Sequence, residues 1–315
     1  MRKIWVTLTL TLMTLGFAVG CRSTNLQPPL PPRVETPTTT HRGPILTSVR
    51  QFSLAGRRSG EGYFRRDGRH FIFQSERQQG NPFYQIYLTN LITGQTTRVS
   101  PGYGKTTCAW IHPTRDKVIF SSTHGDKNWR AKAKAEFDER LHPKSRYNWS
   151  FDENYDIYEA DFQGRGLRNL TKSPGYDAES SYSPDGEWIA FASNRAAYTE
   201  PMSEADAKAF LRDPSYMMDL YIMKADGSNV RRLTKTPGYD GGPFFSPDGK
   251  RLTFRRFSPD GHTAEVYTIG VDGTDEKRIT NMKAMSWAPF YHPTGDYLIF
   301  ASNKYGHANF ELFIV

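Results

Sequence analysis

The sequence has only two cysteines, Cys21 and Cys108, so it cannot form the disulfide framework of a small secreted domain. Several common catalytic signatures are also absent: the Gly-x-Ser-x-Gly elbow, the His-Glu-x-x-His zinc motif and any pair of histidines at ligand spacing. The net charge of +8 is scattered among 33 acidic residues, and no nucleic-acid-binding module accompanies it. These absences argue against a disulfide scaffold, the commoner hydrolases and a nucleic-acid partner.

The long apolar run of the chain lies at its N-terminus, from Ile4 to Val19, directly after Arg2-Lys3. This arrangement predicts a signal peptide over residues 1–20 rather than a membrane span. The run ends in Ala18-Val19-Gly20-Cys21, which resembles a bacterial lipobox. We therefore expect Cys21 to be lipidated and to become the mature N-terminus. Ordinary secretory cleavage, which would leave Cys21 as a free thiol, is the alternative.

Residues 21–43 are predicted to be a tether, because their Pro/Thr-rich segments suit neither a helix nor a central strand. The residue after the cysteine is Arg22, not the aspartate associated with inner-membrane retention. We therefore expect a periplasmic protein that touches the membrane only through a lipid anchor, in the inner leaflet of the outer membrane. The second cysteine, Cys108, is predicted to be a small core residue.

A short sequence motif recurs five times in the remaining residues, 44–315. Two complete copies are Tyr182-Ser183-Pro184-Asp185-Gly186 and Phe245-Ser246-Pro247-Asp248-Gly249, and degenerate copies begin at Phe64, Ile111 and Tyr291. A second apolar run follows each copy, centred on positions 87, 158, 221, 267 and 313. Intervals of 46 residues recur in this series (221 to 267 to 313), and insertions lengthen two others. A period of this size with several short strands per unit predicts β-propeller blades.

One repeat shows the predicted strands clearly. Strand a covers 243–247, strand b 251–256, strand c 265–271 and strand d 278–280, with tight turns at Pro247-Asp248-Gly249 and Asp272-Gly273. Apolar and polar residues alternate along these runs, as in half-buried strands. The fold class is therefore all-β, a propeller of four-stranded antiparallel blades.

The Ser-Pro-Asp-Gly turn, the run Leu220 to Gly227 and the segment Arg231-Arg232-Leu233-Thr234 resemble the WD40-like PD40 repeat of the TolB-type propellers. The resemblance covers roughly residues 46–315 and implies a six-bladed ring, whereas five repeats are present here. It does not imply TolB itself, since that protein has an α/β domain where this chain has a tether.

The fifth repeat ends in strand c, and two interpretations of ring closure remain open. The run 46–53 looks like a strand d without a blade, so the N-terminal strand is expected to close the ring. Alternatively, the chain is C-terminally incomplete and a further blade follows Val315.

Both large insertions, 124–154 and 196–218, fall in b–c loops and are predicted to contain short helices. In a propeller these loops share one face with the d–a loops, so we expect a binding rim there. Loop and strand ends predict polar groups at the channel mouth: Glu76, Arg77, Lys105, His124, Asp177, Glu179, Asn194, Arg195, Asp240, Arg255, Arg256 and Asn303. The competing interpretation is that aspartates and arginines pair across neighbouring blades to hold the ring together.

The function predicted from this pattern is a lipid-anchored binding scaffold that docks an envelope protein, peptide or glycan on the loop-bearing face, without a cofactor, metal or catalytic residue. An accessory propeller of a larger hydrolase or peptidase is one alternative. A metal-dependent oligogalacturonide lyase is another, and it would draw on His124, His142, His307, Glu179 and Asp240. His112 and His292 replace the turn serine and are expected to be structural.

Overall fold

A computed structural model describes residues 50–141 and 151–315, and its compact unit Phe52–Val315 contains five consecutive antiparallel sheets. The first four sheets have four strands each, and the fifth has three among the described residues. A short parallel pairing of Met217–Met218 with Gly238–Tyr239 connects the third sheet to the fourth. The predicted all-β propeller architecture is confirmed, and the sheets are called blades 1 to 5 below.

The strands follow one another in the order a, b, c, d within each blade. Blade 1 consists of β1 (Ser59–Phe64), β2 (His70–Ser75), β3 (Gln85–Asn90) and β4 (Thr96–Arg98). Blade 2 consists of β5 (Thr106–Ile111), β6 (Lys117–Ser122), β7 (Asp156–Asp161) and β8 (Arg168–Asn169). Blade 3 consists of β9 (Asp177–Tyr182), β10 (Trp188–Ser193), β11 (Met217–Lys224) and β12 (Arg231–Arg232). Blade 4 consists of β13 (Gly238–Phe245), β14 (Arg251–Phe257), β15 (Ala264–Gly270) and β16 (Lys277–Arg278), and blade 5 of β17 (Ser286–Tyr291), β18 (Leu298–Ser302) and β19 (Glu311–Ile314).

Helices occur in both b–c insertions, as predicted. The first insertion contains α1 (Trp129–Leu141), and the second contains α2 (Ala196–Thr199), α3 (Glu204–Arg212) and a 3₁₀ turn at Pro214–Tyr216. Ser203 caps α3, since its hydroxyl accepts a hydrogen bond from the Asp206 amide at 3.1 Å. None of the helices in the described residues has the length and apolarity needed to cross a membrane.

The predicted closing strand falls only partly within the described residues. Residues 46–49 lie outside them, and residues 50–53, which are described, are not in a strand. Closure of the ring by this segment therefore stays a prediction, as do the signal peptide, Cys21 and the tether, which also lie outside the described residues.

The hydrophobic core lies between blades rather than within them. Each blade turns one face of strands b and c toward the next blade, where it meets that blade's own strands b and c. Ile119 and Ile157 of blade 2, for example, are fully buried in a cluster with Ile189 and Phe191 of blade 3. In the described residues, no buried apolar cluster joins blade 5 to blade 1.

Blade 5 shows the consequence of lacking such a neighbour. Ile299 and Leu312 occupy the strand positions of Ile119 and Ile157, yet they are 36% and 66% exposed. Blade 5 therefore keeps the apolar residues of blade 2 at these positions, but no following blade covers them in the described residues.

Strands c and d are fastened by a repeated polar contact. In blade 4 the Thr280 hydroxyl accepts from the Val266 amide at 2.9 Å and donates to the buried Glu265 at 2.5 Å. Equivalent contacts join Thr171 to Asp156, Thr234 to Asp219, and Ser100 to Gln85. This contact explains why an Ile/Leu-Thr pair ends three of the repeats.

His112 organises the a–b turn of blade 2, as expected for a residue that replaces the turn serine. Its Nδ1 accepts hydrogen bonds from the amides of Thr114 and Arg115 at 3.2 and 3.0 Å, and the residue is only 2% exposed. Burial, with the nearby positive charge of Arg115, lowers the pKa of His112 from 6.5 to about 4.

We expect Ile119→Ala to reduce the free energy of unfolding by about 2–5 kcal/mol, because it leaves a cavity between blades 2 and 3. Ile299→Ala, at the equivalent but open position, is the matched control and should cost less than about 1 kcal/mol. Chemical denaturation of both variants tests this. An equally large loss at position 299 would contradict the prediction, since it would show that this face is covered in solution.

We also expect His112→Asn to make stability less sensitive to acid. The unfolded state takes up a proton near pH 6.5 and the folded state only near pH 4, so the wild type loses stability as the pH falls across this window. The loss from this group is on the order of 2 kcal/mol. Asparagine retains an oxygen acceptor for the turn. Unfolding curves at pH 7.5 and 4.5 should diverge less for the variant, and identical pH dependence would refute the assignment.

Candidate functional site

A cavity of 1050 Å³ lies at the centre of the propeller, where the innermost strands converge. Its mouth is formed by Arg57 and Arg58 before β1, by Lys105 before β5, and by Glu136, Glu139 and Arg140 of α1. These segments belong to the d–a loops and to the first b–c insertion, so the cavity opens on the loop-bearing face. We call it the central cavity.

Every innermost strand carries a β-bulge at the same height in the cavity. The register of the a–b pairing shifts there in all five blades, and one residue of each bulge adopts a positive φ. These five residues all line the central cavity: Glu61, Cys108, Glu179, Gly242 and Ala288, with φ between 38° and 61°. The repeated bulge thus places one residue of each blade on the cavity wall.

Glu76 is the most buried carboxylate of the mouth, with a side chain only 3% exposed. Arg58 donates to its Oε1 through Nε at 2.8 Å, and Nη1 atoms of Arg140 and Arg57 lie 3.4 and 3.6 Å from its Oε2. Arg140 also donates to the Pro82 carbonyl. Three guanidinium groups therefore neutralise Glu76, and one of them fixes the end of α1 over blade 1.

Glu179 links blade 3 to blade 4 on the cavity wall. Arg255 donates to its Oε1 at 2.8 Å, the Gly242 amide donates to its Oε2 at 2.5 Å, and the Tyr239 hydroxyl donates to Oε1 as well. Burial opposes the charge of Arg255, but Glu179 and Tyr239 together raise its pKa above the usual value. A Cβ at position 242 would lie 2.4 Å from Arg255 Nη1, so any larger residue there would displace this guanidinium.

Glu61 and Cys108 face each other from blades 1 and 2. The Cys108 thiol lies 3.7 Å from Glu61 Oε2, and the Tyr63 hydroxyl lies 3.2 Å from Oε1. Loss of hydration, reinforced by the charge of Glu179, raises the pKa of Glu61, and burial raises that of the Cys108 thiol well above its usual range. Cys108 is therefore a neutral hydrogen-bond donor on the cavity wall, not the apolar core residue that was predicted.

Aromatic rings fill the axis at the inner end of the cavity. Tyr63, Trp110, Phe244 and Phe290 come from four different blades, and neighbouring ring centroids are 4.4 to 6.5 Å apart. Each lies two residues beyond the bulge, toward the a–b turns. Blade 3 has Ser181 at this position, and its hydroxyl donates to the Pro243 carbonyl at 2.7 Å. Tyr63 and Phe244 line the cavity directly.

Of the twelve predicted channel-mouth residues, four lie on the wall of the central cavity: Glu76, Lys105, Glu179 and Arg255. Lys105 Nζ is 3.3 Å from the buried Asp152. The remaining eight lie away from the wall, and the contacts that hold them fall into three groups.

The first group packs on a stacked aromatic pair from strands b and c. The guanidinium of Arg77 lies over Phe73 and Tyr87, 5.0 and 4.8 Å from the ring centroids. Arg195 and Arg256 repeat this contact in blades 3 and 4, and His124 packs on Tyr158 in blade 2.

The second group consists of buried ion pairs within a blade. Asp177 accepts from Arg195 Nη2 at 2.7 Å, and Asp240 accepts from Arg256 Nε at 2.7 Å. The third group consists of amides that hold the d–a loops, since Asn194 and Asn303 accept from the Tyr176 and Met285 amides at 2.8 Å. The two ion pairs lie within one blade, whereas the competing interpretation expected pairs across neighbouring blades. Glu179 and Arg255 on the cavity wall do join two blades.

Sequence reasoning missed the bulge residue Glu61, the aromatic rings at the inner end of the cavity and the helix residue Arg140. The local sequence carries no signal for Glu61, because the bulge that turns it inward is seen only once strands a and b are paired. In the described residues, no three His, Cys, Asp or Glu side chains form a group suited to a metal ion, and His142 lies outside those residues.

A family model described as the TolB beta propeller domain matches residues 207–313, from the end of the second insertion to the last strand. A curated "uncharacterized protein" of Agrobacterium fabrum is 34% identical over 109 residues, which are 35% of this chain and 31% of that protein. A "protein TolB homolog" of Chlorobium chlorochromatii is 27% identical over 122 residues, covering 31% and 28%. This chain therefore matches less than a third of the length of these relatives.

Solved structures show the same fold over a larger share of the chain. A putative TolB from Agrobacterium tumefaciens is 21% identical with a TM-score of 0.53, covering 80% of this chain and 74% of that one. An oligogalacturonate lyase from Vibrio parahaemolyticus reaches a TM-score of 0.51 at 14% identity, covering 80% and 60%. Proteins of different activity thus share the architecture. Repeat sequence and blade structure agree on a β-propeller fold, and residues 207–313 are similar to the TolB-type propeller domain.

Proposed function

We propose that this protein is a lipid-anchored periplasmic binding scaffold that docks a protein, peptide or glycan on the face carrying the central cavity. The observation that supports docking is the cavity itself, which opens on the loop-bearing face and is surrounded by charged groups of both signs. Cavities lined by aromatic rings with a few convergent polar groups are the usual sites of ligand binding.

Ion pairs fix the residues at the mouth of the cavity, and this supports the same proposal. Arg140 fastens α1 to Glu76 beside the cavity, and Lys132 fixes the same helix through Asp126 and Asp152 at 2.7 and 2.8 Å. A docking partner would therefore meet a largely preformed surface, which reduces the entropy lost on binding.

The proposed localisation depends on residues outside the described part of the chain. The signal sequence, the lipobox-like Ala18-Val19-Gly20-Cys21 and the Pro/Thr-rich tether together suit a domain held away from a lipid surface. A long flexible tether would leave the cavity-bearing face free to approach envelope components.

We expect Cys21 to incorporate labelled palmitate in a bacterial host, and the protein to fractionate with the outer membrane. Cys21→Ala should abolish both. Cys108→Ala is the matched control and should leave both unchanged, because Cys108 lies inside the folded unit. Labelling that survives Cys21→Ala, or an unmodified Cys21 in the intact mass, would refute the anchor.

We expect a photo-crosslinking amino acid at Glu139, on the cavity mouth, to form discrete adducts in the native host. The same amino acid at Glu187, exposed on the opposite a–b face, is the control and should form few. Separation of the adducts by mass, followed by protease and glycosidase digestion, identifies their chemical class. Equal adduct patterns at the two positions would contradict docking on the cavity-bearing face.

A further inference from the structure

Glu61 differs from three other carboxylates of the cavity wall. Glu76, Glu136 and Glu179 each have an arginine nitrogen within hydrogen-bond distance, from Arg58, Arg140 and Arg255 respectively. In the part of the chain that the structure describes, Glu61 contacts only the Tyr63 hydroxyl and the Cys108 thiol, which are neutral groups. Within the described residues, no cationic group therefore makes a direct contact with Glu61.

The charge of Arg255 acts on Glu61 along the cavity wall, but its guanidinium is held by other partners. Arg255 is engaged by Glu179 at 2.8 Å and by the Tyr239 hydroxyl at 2.9 Å. Taking it away would leave Glu179 and Tyr239 without their partner in a poorly hydrated site, which is costly. A ligand bound in the cavity would supply the directly contacting positive charge that the described residues do not give Glu61.

The surroundings of Glu61 suit an organic cation. Tyr63 and Phe244 line the cavity beside it, and Trp110 packs against both rings at 4.4 and 5.4 Å between centroids. Aromatic faces attract ammonium groups, and the attraction grows when water is displaced. A metal ion fits less well, because in the described residues no three ligating side chains come together here.

A second polar group on this wall lacks a partner. Ser180 lines the cavity next to Glu179, is only 3% exposed, and its hydroxyl makes no hydrogen bond within the described residues. Buried hydroxyls are normally satisfied, so such a group marks a place where a ligand or water completes the structure.

We propose that the inner end of the central cavity binds a primary ammonium group, supplied by a peptide N-terminus or a lysine side chain, with Glu61 as its counter-ion. This proposal depends on the proposed function, since it names the chemistry that the docking face recognises. The cavity has room for the adjoining peptide, whose backbone would meet the charged mouth. Anionic ligands are disfavoured at this depth, because they would face Glu61.

The test uses the full chain and three pentapeptides in calorimetric titration. One is N-acetylated with a central lysine and four glycines, one is pentaglycine with a free N-terminus, and one is acetylated pentaglycine; all are C-terminally amidated. We expect at least one of the two ammonium peptides to bind about tenfold more tightly than the acetylated control, as one charge-assisted contact predicts. The first two peptides distinguish a lysine side chain from an N-terminus as the source.

Glu61→Gln, which keeps the shape of the side chain, should abolish the difference between the peptides. Glu187→Gln on the opposite face removes the same charge and should preserve it. Equal binding of all three peptides by the wild type overturns the proposal without reference to any variant, and so does a preference that survives Glu61→Gln. Crosslinks at Glu139 without ammonium selectivity would refute this proposal and leave the proposed function standing.

Discussion

The structure depends on the burial of one blade against the next. Each sheet is too thin to have a core of its own, so its stability comes from the apolar face that it shares with a neighbour. Because strands b and c supply that face in every repeat, a blade contributes fully only when another blade follows it. The exposed Ile299 and Leu312 of blade 5 show the same sequence pattern without its partner.

The interblade packing also determines where polar residues can be accommodated. Strands b, c and d are committed to the core, to the Arg-over-aromatic contacts and to the Ser/Thr contacts that join strands c and d. The innermost strands border the axis on one side, and there the bulges turn residues such as Glu61 and Glu179 toward open space. The site thus lies on the innermost strands, where the bulge residues are not needed for the interblade core.

The repeat could be predicted from the sequence because its turns are local. Pro247-Asp248-Gly249 fixes the a–b hairpin, and β14 and β15 begin and end within one residue of their predicted bounds. The cavity could not be predicted in the same way. A bulge adds one residue to strand a and so reverses which side chains face inward, and nothing in the local sequence at Glu61 or Cys108 announces that shift. The pairs Asp177–Arg195 and Asp240–Arg256 join opposite ends of a hairpin, so their partners become evident only once the strands are paired.

The repeated bulge has a consequence for how such a protein can change over time. Glutamate, cysteine, glycine and alanine all occupy the same left-handed position in this one chain, so the backbone tolerates very different side chains there. None of the five positions belongs to the interblade core. A substitution at one bulge position could therefore change the cavity wall contributed by one blade without altering the apolar core that joins the blades.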